Sequence, residues 1–177
     1  SSQNEQDSRI YGKFANVPIL EPSNQQEAYD MVHYGFELSE KFKVPVLMRI
    51  TTRLAHSRAG VARIEGRKQN EISLPSDLRQ FVLLPAIARK RYNMLLGNQT
   101  GFRSESASSG FNQLIDGPDK SMGVIACGIT YNYLMENFPQ GCPFPVLKIG
   151  QYPLPVNLVE NLADTTEQIM VLEDGYP

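Results

Sequence analysis

The chain has 177 residues, of which 41% are hydrophobic and 20% charged, the profile of a water-soluble globular protein. This length suits one ordinary domain or two small ones, and a net charge of −2 gives no general attraction to nucleic acid or membranes. The apolar runs, such as residues 81–84, fall far short of the roughly 18 residues of a membrane span. The polar N-terminus lacks the apolar stretch of a signal peptide, so we expect a cytoplasmic protein.

The first third predicts a strand, a helix and a second strand. Residues 1–9 are polar and aperiodic, which predicts a loop, and the apolar run 17–20 predicts a short strand. Ser23 has the residue type and position of a helix N-cap. A 3.6-residue apolar period then predicts a helix over 24–43, and the run 44–50 predicts a strand buried on both faces. This order predicts parallel pairing through a right-handed crossover.

The middle of the chain is predicted to connect two units. Residues 60–76 are rich in charge and poor in apolar side chains, which is typical of a linker. Pro85 suits the first position of a helix, and Gly97 and Gly101 weaken the second half of that helix. Residues 104–110 are small and polar, which predicts a second connection.

The last third predicts an alternation of strands and helices. We expect strands over 122–126, 145–149 and 169–172, with helices after the first two of them. This β-α-β-α-β order favours a parallel sheet covered by helices. The whole pattern therefore predicts an α/β fold with parallel sheets.

Polar side chains follow the predicted strand 44–50, at the edge of a parallel sheet where ligands bind. Arg53 and Arg58 can bind a carboxylate or phosphate through paired hydrogen bonds. His56 can transfer a proton near neutral pH. The alternative is a polar strand exit whose arginines pair with neighbouring acids. Gly128, after another predicted strand, is not a nucleotide-binding fingerprint, and a lone glycine there usually serves backbone geometry.

Two further polar clusters are each open to two interpretations. Residues 1–9 either line a polar pocket or form a solvated tail. The basic run 89–91 lies near a helix start, where positive charge opposes the helix dipole. It is either a solvated helix face or a contact for the phosphates of a nucleotide or coenzyme A.

The cysteine and histidine inventory is small. Cys127 and Cys142 are too few for an iron–sulfur cluster, and they form either one disulfide or two unpaired thiols in a reducing cytosol. The sequence has no P-loop, no metal-ligand spacing and no Gly-x-Ser-x-Gly motif. Neither His33 nor His56 can be assigned a nucleophile and an orienting acid. We therefore expect no metal site in this chain.

Several runs match, in order, one known family. They include Ser-Ser-Gln-Asn-Glu-Gln-Asp-Ser-Arg at 1–9, Pro-Ile-Leu-Glu-Pro-Ser at 18–23, and Pro-Val-Leu-Met-Arg-Ile-Thr-Thr-Arg at 45–53. Gly-Val-Ile-Ala-Cys-Gly-Ile follows at 123–129, and Leu-Lys-Ile-Gly at 147–150. Together they resemble the large (alpha) subunit of the indolepyruvate ferredoxin oxidoreductases over nearly the whole chain. Since the chain opens without methionine and closes after an apolar run, we expect an internal fragment of that subunit.

The resemblance implies a thiamine-diphosphate enzyme that oxidatively decarboxylates indolepyruvate and other aryl pyruvates to arylacetyl-CoA. Residues 1–60 are similar to the C-terminal part of the pyrimidine-binding domain of such enzymes, and 61–114 to a linker and helix. Residues 115–177 are similar to part of a transketolase-C-terminal-like domain. By the same resemblance, Arg53 and His56 lie near the catalytic cleft, and a loop approaches the cofactor with residues Ser2, Gln3, Asn4, Glu5, Gln6, Asp7 and Arg9.

The resemblance also implies what this chain lacks. The pyrimidine-domain glutamate precedes residue 1, the domain that binds diphosphate and magnesium follows residue 177, and the cysteines of the [4Fe-4S] clusters are absent. Thiamine diphosphate, magnesium and the clusters are thus expected in the parent enzyme. None is expected bound to this fragment, which is expected to be inactive alone.

The implied partners are the small beta subunit, ferredoxin and coenzyme A, and the resemblance implies neither nucleic acid nor a membrane. A fragment cut inside two domains exposes apolar strand edges, which favours a homodimer of the fragment. The alternative function is a non-catalytic α/β module for binding or subunit assembly. Such a module would be complete in itself.

Overall fold

Two small β-sheets with covering helices make up the computed structural model, which describes residues 6–66 and 69–175. The first sheet has the strand order β2-β1-β6 and the second has β3-β5-β4-β7. The helices are α1 (Arg9–Ala15), α2 (Gln25–Phe42), α3 (Thr52–His56), α4 (Pro85–Gly97), α5 (Gln99–Ser108), α6 (Ile129–Asn137) and α7 (Val156–Thr165), with a 3₁₀ turn at Leu78–Phe81. The strands are β1 (Ile19–Leu20), β2 (Leu47–Met48), β3 (Gln113–Ile115), β4 (Gly123–Cys127), β5 (Val146–Ile149), β6 (Gln151–Tyr152) and β7 (Ile169–Leu172).

The first sheet confirms the predicted strand–helix–strand unit. Strands β1 and β2 are parallel, and α2 crosses between them. The N-cap of α2 is Asn24, whose side chain accepts a hydrogen bond from the backbone N–H of Glu27. The expected cap, Ser23, instead donates its hydroxyl to the Glu27 carboxylate. The prediction of a doubly buried strand at 44–50 is wrong, because β2 is a short, half-buried edge strand.

The second sheet confirms the predicted β-α-β-α-β order. Strands β4, β5 and β7 are parallel, and β4 is buried at every position. Its side chains alternate between two apolar clusters. One contains Val124, Ala126 and Val146, and the other contains Ile125, Cys127, Leu147, Ile149 and Leu162. The antiparallel strand β3 at the edge was not predicted.

Strand β6 joins the two sheets directly. Only Gly150 separates it from β5, yet β6 pairs antiparallel with β1 in the other sheet. Asn112 fixes this junction, because its side-chain oxygen accepts from the N–H groups of Gly150 and Gln151. A partly buried ion pair between Lys148 of β5 and Glu27 of α2 also joins the two halves. The last third of the chain therefore supplies part of the first sheet.

Three further segments differ from the expectations. Residues 9–15 form α1, a helix that was not predicted; of the predicted loop 1–9, residues 6–8 are loop or turn and 1–5 lie outside the described residues. The segment 104–110, predicted as a connection, is helical to Ser108, because α5 buries Phe102 and Ser106. Thr52–His56 form the short helix α3. Among the described residues of 60–76 there is no helix or strand, as expected for a linker.

None of the described helices is both long and apolar enough to cross a membrane. The chain's division at residues 60 and 114 stays a prediction.

Candidate functional site

The carboxyl ends of several parallel strands bring charged side chains together. Glu21 follows β1, Arg49 follows β2, and Asp174 lies just beyond β7. Asp7 and Arg9, from the start of α1, complete the group. We call these five residues the charged cluster. Ligands of parallel α/β proteins bind at this edge of the sheet, so the cluster is the candidate functional site.

Glu21 and Arg49 form the buried centre of the cluster. The Glu21 residue is 1% exposed, and Arg49 Nη1 donates to Glu21 Oε1 at 2.5 Å. The other carboxylate oxygen accepts from the Tyr152 hydroxyl at 2.8 Å. Burial raises the pKa of Glu21, and the neighbouring Arg49 opposes that rise. The backbone of Gly128 packs here at φ +53°, where an added Cβ would lie 2.6 Å from Glu21 Cγ.

Arg9 is held by two acids. Its Nε and Nη2 donate to the Asp7 carboxylate at 2.8 and 2.6 Å, and Nη1 donates to Glu173 at 2.7 Å. The hydrogen bond with Asp7 raises the pKa of Arg9 above its ordinary value, and the same bond lowers the pKa of Asp7. Arg9 is therefore a fixed positive charge at this edge of the sheet.

Arg49 ties the two sheets to α1. Its Nη2 donates to the Asp174 carbonyl oxygen at 2.5 Å, and its Nε lies 3.7 Å from Asp7 Oδ1. The segment around Asp7 and the exit of β2 are thus in contact with each other and with the end of β7. Asp174 Oδ2 is one of the buried side-chain oxygens without a hydrogen-bond partner in the described part of the chain.

A cavity of about 610 Å³ opens beside Arg9, a volume typical of small-molecule sites. Its apolar wall includes Val17, Ile19 and Leu154. Its polar wall includes Arg9, Lys13, Asn16, Gln99, Arg103, Tyr152 and Glu173. The described residues offer no hydrogen-bond or ion-pair partner to Lys13 or Arg103. The cavity therefore suits an organic anion with an apolar body.

The candidate residues of the N-terminal loop divide into three groups. Asp7 and Arg9 lie in the charged cluster, whereas Ser2, Gln3, Asn4 and Glu5 lie outside the described residues. Gln6 accepts a hydrogen bond from the exposed Tyr11 hydroxyl. These placements leave the functional assignment of the loop as a prediction.

Arg53 and His56 lie at the margin of the site. The Arg53 side chain is 70% exposed, with its Nε 3.9 Å from Asp174 Oδ1 and its guanidinium 5.9 Å from the ring centre of Tyr133. His56 and Arg58 are exposed, and no hydrogen bond or ion pair among the described residues joins them to the cluster. Arg53 therefore reaches the cluster's edge.

The reasoning from sequence missed Glu21 and Arg49, whereas it placed 151–153, which include Tyr152, at the carboxyl end of a predicted strand. Glu21 directly follows an apolar run, and Arg49 stands inside another. A charged residue within a buried run must be paired, so it marks an ion-pair network or a site. That signal was available for Glu21 and Arg49. The position of Tyr152 depends on the pairing of β6 with β1, which no local pattern indicates.

The described residues contain no group of three His, Cys, Asp or Glu side chains arranged to hold a metal ion. Cys127 and Cys142 are both free thiols, and burial raises the pKa of Cys127 to about 11. The buried carboxylate of Glu21 already accepts from Arg49 and Tyr152. These residues therefore do not by themselves fit magnesium diphosphate or an iron–sulfur cluster.

Fold and site define an α/β protein with a charged cluster and a cavity at the carboxyl edge of its sheets. No family model matches the chain. It is 39% identical to the indolepyruvate oxidoreductase subunit IorA of Thermococcus kodakarensis, 40% to that of Pyrococcus abyssi and 38% to that of Methanothermobacter thermautotrophicus. Each match covers the whole chain but only 29% of the relative's length. The chain is thus similar over its whole length to part of the IorA subunits, as the sequence resemblance indicated.

Proposed function

We propose that this chain is part of the IorA-type subunit of an oxidoreductase that decarboxylates indolepyruvate and related aryl pyruvates oxidatively, yielding arylacetyl-CoA. Similarity to IorA over 98–100% of the chain, at 37–40% identity in six relatives, carries this proposal. The charged cluster adds a physical reason, because it lies where parallel α/β proteins bind ligands. The electron acceptor in this proposal is ferredoxin.

The role of this chain is to form one wall of the catalytic cleft. Asp7 and Glu173 hold the Arg9 guanidinium beside the cavity, and Lys13 and Arg103 are the other cations that line it. An aryl pyruvate combines a carboxylate with a ring, which matches a cavity that has both cationic and apolar walls. Arg53 and His56 belong to the margin of the same cleft in this proposal.

Thiamine diphosphate would supply the carbanion chemistry of decarboxylation. Since the described residues do not by themselves fit its magnesium diphosphate, we assign that group mainly to other parts of the parent protein. The [4Fe-4S] clusters belong there for the same reason, because two free thiols cannot hold one. In this proposal the chain orients substrate and holds charge, and it is inactive alone.

The proposal includes a division of the chain and a set of partners. Residues 1–60 belong to a pyrimidine-binding domain, 61–114 to a linker with a helix, and 115–177 to a transketolase-C-terminal-like domain. The small second subunit, ferredoxin and coenzyme A are the partners of the complete protein in the cytoplasm.

The test uses the full-length subunit together with its small second subunit. We expect reduction of ferredoxin that requires both indolepyruvate and coenzyme A. We expect Arg9→Met to lower kcat/KM at least tenfold, since a charge-assisted hydrogen bond is worth about 1.5–3 kcal/mol. Arg63→Met, at an exposed arginine, is the matched control and should retain full activity. Absence of indolepyruvate-dependent reduction in the assembled complex would refute the proposal.

A second measurement addresses the isolated chain. Isothermal titration of the 177-residue chain with thiamine diphosphate and magnesium is expected to show no binding. Micromolar affinity would contradict the assignment of that group to other parts of the protein.

A further inference from the structure

Two cations that line the cavity beside Arg9 have no hydrogen-bond or ion-pair partner in the part of the chain that the structure describes. They are Lys13, in the last turn of α1, and Arg103, in α5, and both side chains are exposed. Arg9, in contrast, already donates to Asp7 and Glu173. The anionic group of a ligand in this cavity would therefore find its free partners in Lys13 and Arg103.

A hydrogen bond between α1 and α5 brings these two cations to the same opening. The Gln99 side chain of α5 donates to the carbonyl oxygen of Asn16, the C-cap of α1, at 2.9 Å. Arg103 follows Gln99 by four positions, and residues at this spacing share a helix face. Lys13 lies one turn before Asn16, whose N–H donates to the Lys13 carbonyl. The two cations thus line one opening from two helices.

Close contacts fix the frame that carries the cations. Helix α1 packs on β1 at Gly12, where an added Cβ would lie 2.3 Å from Ile19 Cδ1. The hydroxyl of the buried Ser106 in α5 donates to the carbonyl oxygen of Pro153, another residue of the cavity wall, at 2.5 Å. The walls are therefore formed before a ligand binds, which lowers the cost of binding.

The charges around the cavity restrict its ligand to one anionic group. Three cations and two acids line it, a net charge of +1 for the wall that the structure describes. Once Lys13 and Arg103 hold one anionic group, the carboxylates of the two acids, which flank Arg9, would repel a second. The rest of the wall includes apolar side chains, among them Val17, Ile19 and Leu154.

We propose that Lys13 and Arg103 together bind the carboxylate of a monocarboxylic ligand whose apolar part lies on the apolar wall of the cavity. This inference rests on the proposed function, because the ligand of the working enzyme is then the aryl pyruvate. A guanidinium and an ammonium group donate charge-assisted hydrogen bonds to the two carboxylate oxygens. Lys13 and Arg103 thus determine specificity, since they favour one carboxylate over none or two.

The test is isothermal titration of the full-length subunit with three ligands that differ in one group. Phenylacetate carries one carboxylate, phenylacetamide none and 4-carboxyphenylacetate two. The unaltered subunit is expected to bind phenylacetate at least about tenfold more tightly than either of the others. In Lys13→Met/Arg103→Met the affinity for phenylacetate is expected to fall at least about tenfold, whereas the affinity for phenylacetamide stays unchanged.

Further variants separate charge from structure. Lys13→Arg/Arg103→Lys keeps both charges and is expected to recover most of the lost affinity for phenylacetate. Arg63→Met/Lys120→Met removes two exposed cations elsewhere and should bind all three ligands like the unaltered subunit. Lys13→Met and Arg103→Met, each alone, are expected to show part of the loss, so the comparison does not depend on the folding of the double variant.

Three results would overturn the inference. The first is unchanged affinity for phenylacetate in Lys13→Met/Arg103→Met. The second is an equal loss for phenylacetate and phenylacetamide, which would show that the two residues support the fold and not the carboxylate. The third is no saturable binding of phenylacetate at millimolar concentration, as expected if another part of the subunit fills the cavity.

Activity with indolepyruvate tests the proposed function separately. An inactive complex that still binds phenylacetate through Lys13 and Arg103 would refute only that function. An active complex whose KM for indolepyruvate is unchanged in Lys13→Met/Arg103→Met would refute only the assignment of these two residues.

Discussion

Replacement of Glu21 by glutamine should destabilise the chain far more than its conservative chemistry suggests. Glu21 accepts from both Arg49 and Tyr152 through different oxygens. A glutamine can still bond both partners, with its amide N–H donating to the Tyr152 hydroxyl, but it carries no negative charge for Arg49. The Arg49 side chain is 3% exposed, and its nearest remaining carboxylate oxygen belongs to Asp7, 3.7 Å away. The substitution therefore leaves a buried cation poorly compensated.

The expected cost is about 3–5 kcal/mol, the usual range when one partner of a buried ion pair is removed. This is a large part of a total stability of roughly 5–15 kcal/mol. The free energy of unfolding can be measured by urea denaturation of the 177-residue chain, followed by circular dichroism. Glu40→Gln is the matched control, because the Glu40–Lys43 pair is exposed and its loss should change stability little.

A double-mutant cycle with Arg49→Met tests the reasoning itself. The combined variant should lose much less stability than the two single variants together, because it leaves neither charge buried alone. We expect a coupling of at least about 1.5 kcal/mol. Additivity within about 0.5 kcal/mol would show that Glu21 and Arg49 act independently, and the buried pair would then not explain the cluster.

Three further predictions concern the same edge of the sheets. Because Arg9 lowers the pKa of Asp7, the stability from this pair is present above the unfolded pKa of Asp and is lost as pH falls through the folded value. Asp7→Asn should thus cost stability at pH 7 and progressively less below about pH 4 in denaturation series; a constant cost would contradict this. Gly128→Ala should cost about 1–3 kcal/mol from backbone strain alone, plus its contact with Glu21, and an unchanged Tm would refute it. Cys127 is buried, and at pH 8 about one in a thousand of its thiols is ionised, so a thiol reagent should label Cys142 before Cys127. Mass spectrometry of the labelled chain measures both rates, and equal rates would show that Cys127 is accessible to the reagent.

The apolar pattern of the sequence predicted those elements that bury their apolar side chains. The helix α2 buries Met31 and Leu38, and β4 is buried throughout, so both left a clear apolar pattern. Helix α1 left none, because Ile10 and Phe14 are exposed and only Gly12 is buried. Short strands such as β3 and β6 depend on distant partners, which local sequence does not reveal.

The site was predictable only in outline. The order of strands and helices predicted candidate residues at the carboxyl edge, where the charged cluster lies. The family resemblance added Asp7 and Arg9, which belong to that cluster, and their role in binding stays a prediction. The polar run Thr-Thr-Arg at 51–53 made Arg53 a candidate site residue, yet the buried arginine at that strand exit is Arg49. Burial of a charge is a tertiary property, and its partners Glu21 and Asp174 lie 28 and 125 positions away in the chain.

The passage of the chain from β5 to β6 has a consequence for synthesis on the ribosome. Strand β1 cannot pair with β6 until β6 has been synthesised, because Leu20 pairs with Gln151, which emerges from the ribosome 131 residues later. Loop-closure entropy makes such distant pairings slow to form. One side of β1 therefore stays unpaired while the residues between β1 and β6 are synthesised, and the final assembly of the first sheet is expected to follow release of the β5–β6 segment from the exit tunnel.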